Sequence, residues 1–145
     1  MKEWKRYLIY VVCIFVYISL SAFIYYKINS HSNTTGSIDF YVAGLVPFCV
    51  NTIFGVLLGM EHFIKMKKGT GMWKLNTTRL LIVGVPSFIL SLYYFFYHSN
   101  IRILIDLTDL LPNEIMLQKP FMNFVQILLG YIVITSFIKK NKEIL

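Results

Sequence analysis

Asp106 and Asp109, with Arg102 four residues before the first of them, come closest to a reactive constellation in this sequence. Two carboxylates could share a proton or hold a divalent cation, but either role needs further converging ligands or a nucleophile, and the neighbouring sequence offers none. At helical spacing the three charges share one face, while Ile103, Leu104, Leu107, Leu110 and Leu111 take the other. This pattern predicts a short amphipathic helix over about 101–111, lying in a membrane interface with its charges solvated.

Glu61 and His62 form a second pair, yet Glu61 stands four residues before Lys65, the favourable orientation for a helical ion pair. No HExxH or comparable ligand spacing follows, so a metal centre is not expected. Cys13 and Cys49 lie in apolar stretches far from any CxxC spacing, where a thiol acts as a small hydrophobe. No phosphate-binding glycine loop or catalytic serine motif occurs. The sequence therefore assigns no catalytic, cofactor-binding or metal-binding residue, and the chain is not expected to be an enzyme.

The remaining polar residues sit inside long apolar runs. Ala43, Pro47, Asn51, Gly55 and Gly59 recur every four residues and so form one stripe on a helix face. Gly84, Ser87 and Ser91 mark a similar face, and Asn123, Gln126 and Gly130 a third. Helices in lipid associate through close backbone approach and interhelical hydrogen bonds, and small residues mark where they do so. The three faces are expected to meet, with Asn51, Ser87 and Gln126 available as donors to the carbonyls that Pro47 and Pro86 leave unpaired. Interhelical packing outweighs the rival reading, a polar seam lining a path for a solute. A proton-driven pump usually relies on a charged side chain, and no Asp, Glu, Lys or Arg lies in the central half of any apolar run.

The elements that must carry these residues are four uncharged, largely apolar stretches, at about 7–26, 40–60, 80–97 and 121–138. A spanning helix needs about 20 such residues to cross about 30 Å of hydrocarbon. Composition agrees, with 57% hydrophobic residues and 14% charged ones, more apolar surface than a soluble core of this size could bury. The reading is an all-α polytopic membrane protein: one domain, 1–145, of four transmembrane helices in a bundle, with the interfacial helix between the third and fourth. The first stretch continues too far for a cleaved secretory signal and is read as an uncleaved anchor. In helix count and length alone the chain resembles the small multidrug exporters, but the glutamate that marks their first span has no counterpart here.

The net charge of +7 is distributed by side. Lys2, Lys5 and Arg6 precede the first stretch, Lys65, Lys67, Lys68, Lys74 and Arg79 separate the second from the third, and Lys139, Lys140 and Lys142 follow the fourth. By the positive-inside rule both termini and the middle loop are cytoplasmic in a multi-pass cell-membrane protein. The basic face is expected to meet anionic lipids at the cytoplasmic side, and nucleic acid is not an expected partner. The function these features favour is that of a non-catalytic interaction or accessory subunit that associates with a second copy or with a larger membrane protein. The alternative is a small passive channel or transporter component built on the seam between the second, third and fourth helices.

Overall fold

The computed structural model describes residues 3–35, 40–68, 71–97 and 118–140. Over these residues the protein is mostly helical, and two of its helices are long and apolar enough to cross a membrane. The amphipathic helix expected at 101–111, with Arg102, Asp106 and Asp109, lies outside the described residues. Two compact units are distinguished, Met1–Ala43 and Gly44–Leu145.

The first unit is built on α1 (Glu3–Thr35), 33 residues long, or about 50 Å at the α-helical rise. It overruns the expected stretch at both ends because no glycine or proline interrupts the chain before Gly36. Its apolar window, Tyr7–Ile28, is not buried, and Leu8, Phe15, Leu20 and Phe23 are all exposed. The hydroxyls of Ser19 and Ser21 donate to carbonyls of the same helix, those of Phe15 and of Tyr17 and Ile18. Their polarity is thereby satisfied within the helix.

The second unit holds most of α2 (Phe40–Lys68), which continues through Pro47 and provides the other long apolar window, Gly44–Lys67. Beyond it Gly71 takes a φ of 129°, a conformation that suits glycine, and leads into β1 (Met72–Leu75). Asn76 then caps the next helix, its Oδ1 accepting from the Arg79 N–H at 3.1 Å.

That helix is not the uniform run expected at 80–97. It comprises α3 (Thr77–Arg79), a wider π-turn over Leu80–Gly84, α4 (Val85–Ser91) and, after a turn at Leu92, α5 (Tyr93–Tyr97). Pro86 explains where the winding changes. Its nitrogen cannot donate to the Ile82 carbonyl, and just before it the ladder widens so that the Val85 N–H reaches back to Leu80.

The final helix, α6 (Lys119–Thr135), ends three residues before the expected limit of 138. Phe137–Lys140 instead forms β2, which pairs antiparallel with β1 in the register Met72 with Lys140, Trp73 with Lys139, Lys74 with Ile138 and Leu75 with Phe137. The mostly helical architecture thus carries a short two-stranded ladder that the all-α expectation did not include. Side-chain hydroxyls of Thr135 and Ser136 bond back to the carbonyls of Tyr131 and Ile132, competing with the helical ladder where it stops. The Asn76 N–H donates to the Ser136 carbonyl at 2.8 Å and ties the exit of β1 to the entry of β2.

The core of this unit is carried largely by α6, whose Met122, Val125, Leu129 and Ile132 are buried together with Tyr93 of α5. Helix α6 packs against α4 on one side and α2 on another.

Candidate functional site

Helix α6 brings the polar residues of its own small-residue face to that of α2. Successive turns of this helix carry Asn123, Gln126 and Gly130 along the face it presents to α2. On α2 the four-residue spacing of Asn51, Gly55 and Gly59 gives the matching stripe.

At one level the two helices meet through carboxamides. The Asn51 Nδ2 donates to Asn123 Oδ1 and to Gln126 Oε1, both at 2.8 Å. Asn51 is 8% exposed and Gln126 4%, so the bond between them is buried, where an unpaired amide would be strongly unfavourable, while the bond to the half-buried Asn123 is partly so. Both N–H groups of the Asn51 amide are used by this pair of bonds.

Further along, the helices approach backbone to backbone. A Cβ on Gly55 would meet the Ile127 carbonyl oxygen and lie 2.9 Å from the Tyr131 nitrogen; one on Gly130 would meet the Thr52 carbonyl oxygen and lie 2.9 Å from the Val56 nitrogen. Gly59 continues the seam, facing the Ile134 side chain, with Thr135 Cγ2 at 3.2 Å. Only hydrogen at these three positions admits the observed approach.

The α4 residues join the packing but not the amide cluster. Gly84 faces Ile132 of α6, its would-be Cβ in ordinary contact at 3.6 Å. Ser87 and Ser91 are buried, and their hydroxyls donate within their own helix, to Val83 O and Phe88 O, both at 2.7 Å. Of the three donors the sequence offers to the carbonyls freed by Pro47 and Pro86, Ser87 bonds to Val83 of its own helix, in the usual back-bonding geometry of a helical serine.

Thr52 was not anticipated: its hydroxyl oxygen is buried and makes no hydrogen bond among the described residues. His62 Nε2 is likewise buried without a partner among them. Glu61 does not turn to that histidine but pairs with Lys65 at 2.7 Å, on a largely exposed surface. Among the described residues no three His, Cys, Asp or Glu side chains converge, and Cys13 and Cys49 are separate, exposed thiols. The side chains assembled between α2 and α6 are carboxamides flanked by glycines. What they offer is directional hydrogen bonding between two closely packed helices.

No protein-family model matches the chain, and no curated protein or solved structure is significantly similar to it.

Proposed function

We propose that this chain is a small, non-catalytic multi-pass membrane protein that acts as an interaction or accessory subunit for a second copy or a larger membrane protein. In this reading α1 and α2 are the first two spans, residues 77–97 form the third and α6 the fourth, with both termini on the cytoplasmic side. With 17 residues, α6 lies at the lower end of the length that crosses hydrocarbon, about 17–25 residues. The amphipathic helix expected from the sequence over about 101–111, outside the described residues, belongs to the same reading.

The observation that carries the proposal is the mutual satisfaction of Asn51, Asn123 and Gln126 beside the glycine seam. Amides bound to one another across a packed interface hold helices together; a conduit would need such groups turned towards a solute in place of its hydration shell. The exposed apolar circumference of α1 supports the membrane setting and leaves a surface for a neighbouring helix.

Purification from native membranes in mild detergent tests the accessory role. A stoichiometric membrane-protein partner, or a defined homo-oligomer without transport activity, is the expected result. Saturable solute transport by the purified chain alone in vesicles would replace this reading with that of a channel or transporter component.

A further inference from the structure

The β1–β2 ladder creates a surface that the amide cluster does not use. It lies where three helical ends converge: β1 follows the C-terminus of α2 and precedes α3, while β2 follows the C-terminus of α6. Its inner side is fixed by aromatic contacts. Trp73 stacks on Phe63 of α2 with ring centroids 5.0 Å apart, and Phe137 meets the same ring edge-on at 6.3 Å. Lys139 closes the arrangement, with Nζ 5.1 Å from the Trp73 ring and 2.9 Å from the Lys67 carbonyl oxygen, a carbonyl of the last turn of α2.

Two properties of this surface point to one class of partner. Met72, Trp73 and Leu75 are exposed although large and apolar, and Lys67 and Lys74 are exposed beside them. Glu61 is the only acidic side chain among the described residues from 40 to 140, and it engages Lys65. A surface meant for water would not combine four exposed residues of β1 in this way, and one meant for nucleic acid would not need Met72 and Leu75 outermost. Lys74 between Trp73 and Leu75, with Lys67 at the end of an apolar helix, suits the boundary between phosphates and acyl chains.

We infer that the β1–β2 ladder is a docking surface for the phosphate headgroups of anionic phospholipids, with Lys67 and Lys74 meeting the phosphates, Met72, on the same face of the ladder as Lys74, entering the glycerol and upper acyl region, and Trp73, on the opposite face, reaching the headgroup boundary by the edge that its packing on Phe63 leaves exposed. The inference rests on the membrane reading above and assigns its lipid-binding side chains. Lys139 is a positioning residue here, since it holds the ladder to α2.

Trp73 is itself the reporter. The sequence has two tryptophans, so Trp4→Phe leaves Trp73 as the only one. The full chain carrying this change is reconstituted into phosphatidylcholine vesicles containing, at equal mole fraction, brominated phosphatidylglycerol or brominated phosphatidylcholine, and quenching of Trp73 is compared. Local enrichment of the anionic lipid of about fivefold per engaged cation is expected, reduced by added salt and by the Lys67→Gln, Lys74→Gln double variant. Circular dichroism checks that the double variant keeps its helices. Equal quenching by the two lipids, or a preference unchanged in the double variant, overturns the docking surface. If neither lipid quenches Trp73 while the protein still resists alkaline extraction, the docking surface fails and the membrane reading stands. Extraction of the protein by alkali overturns both.

Discussion

Gly55 and Gly130 pack reciprocally: each stands where a side chain on it would strike a carbonyl of the other helix, Ile127 for Gly55 and Thr52 for Gly130. The contact lies about one helical turn beyond the bonds from Asn51 to Asn123 and Gln126. Hydrogen bonding at one level and close backbone approach at the next fix both the axial register of α2 on α6 and their separation.

Substitution at either glycine therefore acts on the interface itself. Gly130→Ala and Gly55→Ala should each lower stability by about 1–3 kcal/mol, because the atom met is a backbone carbonyl that cannot turn aside. Leu128→Ile, on an exposed side of α6, should be nearly silent. Thermal denaturation in detergent measures the difference; equal tolerance at the three positions would show that α2 and α6 do not pack through these glycines.

The ladder makes a register prediction. With Cys13 and Cys49 replaced by serine, Lys74→Cys with Ile138→Cys should form a disulfide on mild oxidation, since the two positions are direct cross-strand neighbours. Lys74→Cys with Lys139→Cys should not, because a shift of one residue moves a side chain to the other face of the pair. Comparable cross-linking of both pairs would mean that the strands do not hold this register.

How far the sequence disclosed this arrangement differs between elements. The stripe of Asn51, Gly55 and Gly59 is local, since three residues at four-residue spacing share a helix face whatever the rest of the chain does. A cap at Asn76 or Thr77 was legible for the same reason, both being short polar residues just before an apolar helical run, and the structure uses Asn76. The ladder was not, because its pairing joins residues 72–75 to residues 137–140, and four-residue runs such as Met-Trp-Lys-Leu carry no sign of a remote partner. The π-turn before Pro86 was hidden too: a proline announces a missing hydrogen bond without saying whether the chain answers by kinking or by widening a turn. Ser87 shows a third limit, for its hydroxyl had a choice between a neighbouring helix and its own, and only the geometry decides.

The proposed orientation rests on the distribution of charge. Reporter fusions after Leu145 and within Lys67–Trp73 should be cytoplasmic, and fusions within Ser30–Ser37 or after Leu111 external. An external C-terminus would remove the four-span topology, and with it the assignment of the basic ladder to the inner membrane face.

The role of the buried amides is tested most directly by Asn51→Leu, measured for stability in detergent and for solute flux in reconstituted vesicles on the same preparation. The substitution removes the donor shared by Asn123 Oδ1 and Gln126 Oε1. As interhelical glue, Asn51 should contribute about 1 kcal/mol, so the variant should melt earlier or assemble less well, with no selective change in flux. Saturable transport by the purified wild-type chain, abolished by Asn51→Leu in a bundle of unchanged stability, would contradict the accessory-subunit account.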